Sequence, residues 1–477
     1  MKLVILNAGI GSRLENITKN KPKCLLNLIK GYKTLLENQL MIFNKFEILL
    51  IIGYKSEMII DVIKNYKNVS YVINEEYNTT NNMYSINLAK NFIGNDPFFV
   101  LNGDIYIEEQ ILNDIKSMDL NFNSVFVQKH KFNDENMKVN VVDSFIIDID
   151  KKLKVGESMG LSMDFYYIKD TQVYFREIEE YLINEKNHWA ELILKKMMKN
   201  NKFKPVYSNV FWYEIDTIDD YINYINKKNT FKNYDNYFLD IDGNLLLNSK
   251  LINGADLFLK RIKNFKLITN NSSKTKEIYQ NIFNKYDINI NKNDIINSVD
   301  STLIYLNNKK IKNIYLFSTQ EVKKIFENNK FNIFDLKNKE NIDLVVITYN
   351  TEYTYTDLIN LFTIIKEKDY IVTHIDQMCP YENFYIPDVG CLIDNIYSCL
   401  GKKPLDILGK PNLDFSFKGS SIIIGDNLET DYQQSINSKT DFCLTLTGRT
   451  KIEDLEQNIS NLKKINVVKS INDFKIN

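Results

Sequence analysis

KLVILNAGIGSR, residues 2–13, joins an apolar run to a turn with two glycines and an arginine. The run at residues 2–6 is rich in Leu, Val and Ile, which is typical of a buried strand in a parallel sheet. Gly9 and Gly11 let backbone amides close around an anion, and Arg13 adds a planar cation with several donors. This combination predicts a turn that holds the phosphates of a substrate.

Short apolar runs alternate with amphipathic runs in the first part of the chain. The predicted strands are residues 2–6, 48–52, 98–101 and 125–128, and the predicted helices are residues 34–45 and 57–65. Ser56 is the expected N-cap of the second helix, since a serine side chain can accept from the first free amides of a helix. Alternation of this kind predicts an α/β sheet with mostly parallel strands.

The alternation starts again after a polar, Lys- and Asn-rich stretch, so a domain boundary is expected near residues 229–235. Asn236–Asp240 is a second short apolar run, and it leads into Asp-x-Asp-Gly. At 477 residues the chain is also too long for one ordinary domain. We therefore expect two Rossmann-like parallel-sheet domains of the α/β class, at residues 1–230 and 236–477.

Composition narrows the class of protein. Hydrophobic residues make up 44% and aromatic residues 12% of the chain, enough for two cores. Lys+Arg (60) and Asp+Glu (61) nearly cancel, which argues against a nucleic-acid partner. No apolar run reaches about 18 residues, and neither a signal-peptide pattern nor CxxC spacing is visible. We expect a cytoplasmic enzyme without membrane insertion, and a homo-oligomer is compatible with the sequence.

Lys21-Pro22-Lys23 follows the glycine turn and adds two further cations. The order Gly-x-Gly-Ser-Arg and then Lys-Pro-Lys after a first strand resembles the sugar-phosphate nucleotidyltransferase superfamily. The resemblance implies that Arg13 and Lys23 contact the nucleotide phosphates and act in catalysis. The implied substrate-binding residues of the turn are Ala8, Gly9, Gly11 and Ser12. Asn7 stands where alanine is commoner in that family, so we expect it to bear on nucleotide choice.

Two carboxylates complete the site that the resemblance implies. Asp104 follows an apolar run in a Gly-Asp pair, and Asp216 ends WYEID, residues 212–216. In the family such aspartates hold Mg²⁺, which prefers a few carboxylates together with substrate phosphates. The implied reaction is an in-line displacement, in which an acceptor phosphate attacks the α-phosphorus of a nucleoside triphosphate and pyrophosphate leaves. Lys138 matches a family lysine that contacts the acceptor phosphate.

Residues 74–77 (NEEY) and 80–85 (TNNMYS) resemble the phosphocholine cytidylyltransferase branch of that superfamily. The branch implies CTP as the nucleotide and a small phosphorylated alcohol or amino-alcohol as the acceptor, with Asn82 and Tyr84 in the site. A cationic acceptor would favour an aromatic cage. The candidate cage residues are Tyr84, Trp189 and Tyr213. The alternative is a sugar 1-phosphate with UTP or dTTP, which keeps the same fold.

FLDIDG, residues 238–243, places two carboxylates two positions apart after a strand. Residues i and i+2 of an extended segment share one face, so Asp240 can attack a phosphoester while Asp242 protonates the leaving oxygen. No glutamate-terminated twelve-residue loop follows, which argues against a calcium-binding EF-hand. The motif therefore predicts covalent phosphoester chemistry.

Three further motifs follow in order, LITNNSS (267–273), LGKP (408–411) and IIIGDNLETD (422–431). With FLDIDG they resemble the haloacid dehalogenase superfamily, in the branch that has a large α/β cap. The resemblance implies a phosphatase in which Asp240 is the nucleophile, Asp242 the general acid/base and Lys410 a catalytic cation. Thr269 and Asn270 are implied to bind phosphate. The implied Mg²⁺ ligands are Asp240, Asp426 and Asp431.

Residues of about 275–405 are expected to form the inserted α/β cap. The predicted strands there are residues 344–348 and 370–373, with a helix over residues 355–366 between them. Residues 373–390 resemble the substrate loop of such caps, and His374 and Asp388 are the predicted specificity residues in it. Asn244 departs from the Thr or Val usual after the glycine, and we expect it to affect packing more than activity.

The sequence thus predicts a bifunctional enzyme that transfers a cytidylyl group to a small phospho-alcohol and hydrolyses a small phosphate ester through an aspartyl phosphate. Because hydrolysis of the transferase's own acceptor would be futile, the two domains are expected to act on different intermediates. A third hypothesis, in which one domain is a non-catalytic module, is disfavoured because the charged site positions are present in both halves.

Overall fold

The structure is a computed structural model that describes residues 1–29, 34–129, 137–154, 160–227, 233–381, 384–415 and 417–475. The chain splits into two compact units. The first unit consists of Met1–Tyr224 with Leu455–Leu462, and the second of Ile225–Asp454 with Lys463–Asn477. The boundary expected near residues 229–235 falls partly on residues 228–232, which lie outside the described ranges.

A mixed sheet forms the centre of the first unit. The strands of this unit are β1 (Lys2–Asn7), β2 (Glu47–Ile52), β3 (Val69–Ile73), β4 (Phe98–Asn102), β5 (Ile105–Ile107), β6 (Asn123–Gln128), β7 (Lys138–Val142), β8 (Phe145–Asp150), β9 (Gly160–Ile168), β10 (Phe203–Tyr207) and β11 (Trp212–Glu214). Over the described ranges, nine of them form one sheet in the order β3-β2-β1-β4-β9-β6-β10-β8-β7, and β5 pairs with β11.

Burial on both faces explains the continuous apolar run of β1. Leu3 and Ile5 enter the core on one face of the sheet, and Val4 enters the core on the other. β1 pairs in parallel with β2 and β4, as expected for α/β alternation. β9 pairs antiparallel with both β4 and β6, a feature that the alternation did not reveal.

Helices of the first part of the chain connect these strands. They are α1 (Asn16–Lys19), α2 (Leu35–Ile42), α3 (Ser56–Ile63), α4 (Asn82–Asn87), α5 (Lys90–Ile93), α6 (Ile111–Ser117), α7 (Thr171–Leu182), α8 (Glu191–Met197) and α9 (Ile218–Lys227). The prediction of Ser56 as an N-cap is wrong, because Ser56 is the first residue of α3 and Lys55 occupies the cap position. The Ser56 amide donates to the Gly53 carbonyl at 3.2 Å, so a turn before the helix already satisfies it.

The second unit contains most of the remaining strands and helices, and residues 455–458 of the last helix belong to the first unit. Its strands are β12 (Asn236–Asp240), β13 (Leu246–Leu247), β14 (Lys250–Leu251), β15 (Phe265–Thr269), β16 (Ile295–Asn297), β17 (Asn313–Phe317), β18 (Asn332–Ile333), β19 (Leu344–Ile347), β20 (Tyr370–Val372), β21 (Met378–Tyr381), β22 (Phe384–Pro387), β23 (Ser421–Gly425), β24 (Asp441–Thr445) and β25 (Asn466–Val468). The helices of residues 233–475 are α10 (Ala255–Arg261), α11 (Lys276–Asn284), α12 (Ser298–Asn308), α13 (Gln320–Asn328), α14 (Tyr355–Glu367), α15 (Val389–Leu400), α16 (Gln433–Ser438) and α17 (Ile452–Asn458).

Two parallel sheets divide the second unit into a core and a cap. In the described ranges the core sheet has the order β16-β15-β12-β23-β24-β25, and the cap sheet has the order β18-β17-β19-β20. The cap sheet and the β21–β22 hairpin lie in the chain between β16 and β23, so the predicted α/β class with an inserted cap is confirmed. Functional side chains of α/β proteins collect at the carboxyl ends of such strands. Among the helices described, none has both the length and the apolar character that a membrane crossing needs.

Asn244 joins three neighbouring strands of the core sheet. Its side chain is fully buried. Its Nδ2 donates to the carbonyls of Asp240 and Ile424, at 3.0 and 3.2 Å. Its Oδ1 accepts from Thr445 Oγ1 at 3.1 Å. These bonds support a role for Asn244 in the packing of β12, β23 and β24.

We predict that Asn244→Ala lowers the free energy of unfolding of the second unit by about 1–3 kcal/mol, because buried polar partners are left unpaired. The measurement is urea unfolding of the full chain. Asn329→Ala is the matched control, since the exposed Asn329 amide donates to the Ile325 carbonyl at the surface. Equal stability of the two variants would contradict the prediction.

Candidate active sites

The glycine turn after β1 and the ends of β4 and β11 form the first site. Gly11 has a φ of 70°, which favours glycine at the tightest point of the turn. Gly103 must also be glycine, because a Cβ there would lie 1.8 Å from Asn7 Oδ1. Asn7 is 5% exposed and lines the pocket, and over the described residues neither of its amide atoms has a hydrogen-bond partner.

Lys23 lies between two carboxylates of this site. Its Nζ donates to Asp104 Oδ2 at 2.8 Å and also to Asp216 Oδ1. Arg13 Nη1 lies 2.9 Å from Asp216 Oδ2, and its side chain is 70% exposed, so it is accessible to a ligand. Burial alone would lower the pKa of Lys23, but the charges of Asp104 and Asp216 raise it above its ordinary value.

Glu214 adds a third carboxylate that the sequence reasoning did not single out. Oxygens of Asp104, Glu214 and Asp216 lie within 4.8 Å of one another. The pKa of Glu214 is raised to about 8, mainly by burial and further by the negative charges of Asp104 and Asp216. Asp104 Oδ1 is buried and has no hydrogen-bond partner within the described ranges. This excess of oxygen ligands and negative charge fits a divalent cation such as Mg²⁺.

Two more acids and a tryptophan line the same pocket. They are Asp164, Glu191 and Trp189. The pKa of Asp164 is raised well above its ordinary value. Burial is the largest cause, and the negative charges of Glu214 and Glu191 add to it. Burial is also the main cause that raises the pKa of Glu191. The ring of Trp189 is half exposed. We name Asp164, Glu191 and Trp189 the acceptor wall.

The first pocket brings together most of the predicted residues of this half. Those that line it are Ala8, Gly9, Gly11, Ser12, Arg13, Lys23, Asn82, Asp104 and Asp216. Lys138 is not among them, because its side chain is fully buried and its Nζ donates to the Lys151 carbonyl at 2.5 Å. Lys151 itself lines the pocket. Tyr84 also lies outside the lining, where its hydroxyl donates to Glu76 Oε1 at 2.8 Å.

The second site lies at the carboxyl ends of β12, β15 and β23. Lys410 Nζ donates to Asp240 Oδ1 and, at 2.6 Å, to Asp431 Oδ1. Asp426 Oδ2 accepts from the Arg449 amide at 2.5 Å. Gly425 is required next to the Asp431 carboxylate, because a Cβ at residue 425 would lie only 2.3 Å from Asp431 Oδ2.

Three buried carboxylates of the second site face one ammonium group. Oxygens of Asp240, Asp426 and Asp431 lie within 4.8 Å of one another. Burial raises the pKa of Asp240 well above its ordinary value despite the opposing effect of Lys410. Burial and the charge of Asp431 raise the pKa of Asp426 to about 7. The donor set and its unbalanced charge fit Mg²⁺.

Asn270 connects the motifs at residues 267–273 and 408–411 to the cap. Its Oδ1 accepts from the Lys410 amide at 2.7 Å, and its Nδ2 donates to Asp376 Oδ2 at 2.7 Å. Asn427 Nδ2 donates to the other oxygen of Asp376 at 3.2 Å. Asp376 lines the pocket with Asp242 and Thr269. Asp376 was not predicted as a site residue from the sequence, although it lies two residues after His374, which was.

The two predicted specificity residues form a buried pair. His374 Nε2 lies 2.9 Å from Asp388 Oδ1, and His374 is fully buried. Burial alone would lower the pKa of His374, but the charges of Asp388 and Asp376 raise it. Asp388 lines the pocket and His374 does not. The histidine therefore contacts the aspartate, and the aspartate faces the pocket.

Each half of the chain matches a different protein family. Residues 2–230 match the Nucleotidyl transferase family, and residues 237–332 match the family of haloacid dehalogenase-like hydrolases. The bifunctional protein GlmU of Methanocaldococcus jannaschii is 30% identical over 224 residues, which are 45% of this chain and 51% of that protein. The chain therefore spans about half the length of the GlmU protein it matches.

Phosphatases are found among the other similar proteins. The acid sugar phosphatase of Staphylococcus haemolyticus is 26% identical over 241 residues, which are 47% of this chain and 90% of that protein. The 5'-nucleotidase YutF of Bacillus subtilis is 25% identical over 239 residues, 47% of this chain and 91% of that protein. The crystal structure of a 4-nitrophenylphosphatase from Thermotoga maritima has a TM-score of 0.44 and 28% identity, covering 50% of this chain and 94% of that one.

We predict that Mg²⁺ stabilises the second unit by about 2.7 kcal/mol when free Mg²⁺ is about a hundredfold above its Kd, because it binds the folded state. Asp426→Asn should reduce this gain, since it removes one carboxylate ligand. The measurement is the unfolding temperature of the full chain with EDTA and with Mg²⁺. Asp369→Asn, an exposed acid of the same unit, is the control. A gain of equal size in both variants would contradict the assignment.

Proposed function

Because the chain is a fusion of a nucleotidyl transferase domain with a haloacid dehalogenase-like hydrolase domain, we propose that it activates a small phosphorylated amino-alcohol with CTP and hydrolyses a second phosphate ester. Transferase and phosphatase are the activities of the two domains. The acceptor wall is the observation that carries the choice of acceptor. The segment around Asn82 resembles the phosphocholine cytidylyltransferase branch, and its position in the pocket with Asn74, Tyr77 and Ser85 supports the choice of CTP.

A positively charged acceptor suits the acceptor wall. Asp164 and Glu191 lie outside the three-carboxylate group that fits Mg²⁺, yet they line the same pocket. A cation of the acceptor would offset the cost of burying these two acids. Lys151 Nζ lies 5.2 Å from the centre of the half-exposed Trp189 ring, and an ammonium group of the acceptor would make a second cation–π contact at the exposed part of that ring.

In the first site, cationic side chains would neutralise the triphosphate. Arg13 and Lys23 would bind its phosphates while an oxygen of the acceptor phosphate attacks the α-phosphorus and pyrophosphate leaves. Asp104, Glu214 and Asp216 would hold Mg²⁺, which supplies charge neutralisation at the reacting phosphates. Lys23 is held by Asp104 and Asp216, so its ammonium is oriented before substrate binds.

In the second site, Asp240 would attack the phosphorus of the ester. The bond between phosphorus and the ester oxygen breaks, and the leaving oxygen takes a proton from Asp242. Asp242 then takes a proton from water as the water attacks the aspartyl phosphate, which frees inorganic phosphate and restores Asp240. Lys410 would neutralise the transferred group. Asp240, Asp426 and Asp431 would hold Mg²⁺, which supplies charge neutralisation at the phosphoryl group.

A sugar 1-phosphate with UTP or dTTP is the second candidate for the first site. The similarity to GlmU favours it, and carboxylates such as Glu191 can accept hydrogen bonds from sugar hydroxyls as well as bind cations. For either acceptor we propose that the phosphatase acts on a different ester, since hydrolysis of the transferase's own acceptor would be futile.

We predict that pyrophosphate release by the full chain with Mg²⁺ is fastest with CTP and phosphocholine or phosphoethanolamine. The assay combines CTP, UTP, dTTP and GTP with these acceptors, with glycerol phosphate and with glucose 1-phosphate. The expected order follows from the charge of the acceptor wall. Release with UTP or dTTP and glucose 1-phosphate alone would instead establish the second candidate.

We also predict that Trp189→Leu lowers kcat/KM for phosphocholine about two- to fivefold, because a cation–π contact at an exposed site is worth about 0.5–1 kcal/mol. Glycerol phosphate, whose alcohol part carries no positive charge, should lose much less. Trp212→Phe is unsuitable as a control because Trp212 Nε1 donates to Gln128 at 3.0 Å. Tyr207→Leu, an exposed aromatic residue of the same unit, is suitable. An equal loss for both acceptors would exclude a cation contact at Trp189.

A further inference from the structure

Three donors converge on the carboxylate of Asp242. Tyr279 Oη donates to Asp242 Oδ2 at 2.5 Å, and Asn271 Nδ2 donates to the same oxygen at 3.3 Å. Lys274 Nζ lies 3.3 Å from Asp242 Oδ1. All three donors come from the segment that follows β15. None of them was predicted as a site residue from the sequence.

Tyr279 is the most firmly held of these donors. It lies on α11 and is fully buried. Its ring belongs to the core cluster that also contains Leu239 of β12 and Leu267 of β15. The hydroxyl is therefore fixed by the packing of the ring, so its position is set before substrate binds.

The other two donors are held by contacts of their own. Asn271 Oδ1 accepts from the Ser273 amide at 3.1 Å and from Ser273 Oγ at 2.7 Å. Its Nδ2 is thereby turned toward Asp242. Lys274 Nζ lies 5.3 Å from the centre of the Tyr279 ring, within cation–π range. The three donors thus form one connected support for Asp242.

We propose that Tyr279 is a positioning residue for the proton transfer of the second site, assisted by Asn271 and Lys274. Tyr279 and Asn271 both donate to Asp242 Oδ2, so the carboxylate cannot rotate freely. Oδ1, which lies 3.3 Å from Lys274 Nζ, is then the oxygen that exchanges a proton with the ester oxygen. As Asp240 attacks phosphorus, the ester bond breaks and that proton moves from Asp242 to the leaving oxygen. The inference rests on the proposed phosphatase function.

The dependence on the leaving group tests this inference. The assay measures kcat/KM of the full chain with Mg²⁺ for substituted phenyl phosphates, from p-nitrophenyl phosphate to phenyl phosphate. The value of kcat/KM includes the step in which the phenol leaves. The poor leaving group of phenyl phosphate needs a proton from Asp242 in that step, whereas p-nitrophenolate leaves without one. Tyr279→Phe is expected to lower kcat/KM roughly tenfold more for phenyl phosphate than for p-nitrophenyl phosphate, part of the effect of a general acid.

Three further variants make the result decisive. Tyr370→Phe is the matched control, since it removes a buried hydroxyl that donates to the Lys402 carbonyl at 3.3 Å in the cap, and its leaving-group dependence should equal that of the wild type. Asp242→Asn should give the steepest dependence. Lys274→Met should give a smaller change in the same direction as Tyr279→Phe, which keeps the test valid if Tyr279→Phe folds poorly.

Two outcomes would count against the inference. An equal loss for every ester in Tyr279→Phe and Lys274→Met would mean that these residues act on the fold alone, and it would overturn the positioning role. Unchanged hydrolysis in Asp240→Asn would instead refute the proposed phosphatase function, and the inference would fall with it. The first outcome leaves the Asp240 result intact, so the two failures are distinguishable.

Discussion

One lysine lies between two aspartates in each unit, next to a third carboxylate that the lysine does not contact. Lys23 joins Asp104 and Asp216, and Lys410 joins Asp240 and Asp431. The third carboxylates are Glu214 and Asp426, and their pKa values are raised to about 8 and about 7 by burial and by their acidic neighbours. A buried group of like charges is costly unless a cation joins it. Each of these three-carboxylate groups therefore fits a divalent cation such as Mg²⁺.

Parallel strands bring these groups together from distant parts of the sequence. In the first unit Lys23 follows the turn after β1, and Asp104 follows β4, the neighbour of β1. In the second unit Asp240 ends β12, and Asp426 follows β23, the neighbour of β12. Glycines at 103 and 425 leave room for Asn7 and Asp431, so close approach of the backbone is part of the same geometry.

Local patterns in the sequence predicted the strands that frame each site, and the resemblance to two superfamilies predicted most of the charged residues in it. The apolar runs before Asn7 and Asp240 predicted buried strands, and both strands end where the site begins. The prediction that Lys138 contacts the acceptor phosphate shows what local patterns cannot give. The sequence around a single lysine does not indicate whether its side chain points into the core or into the pocket. The structure buries Lys138 and brings Lys151, in the turn after the neighbouring strand, to the pocket. Tertiary contacts of this kind, including Tyr279 with Asp242, depend on packing between segments that share no local pattern.

The two sites are expected to work independently of each other in one chain. The most direct measurement is pyrophosphate release from CTP with phosphocholine and phosphate release from p-nitrophenyl phosphate, in parallel, for the wild type, Lys23→Met and Asp240→Asn. We expect Lys23→Met to lose pyrophosphate release and keep phosphate release, and Asp240→Asn to do the reverse. Loss of both activities in either folded variant would contradict the claim.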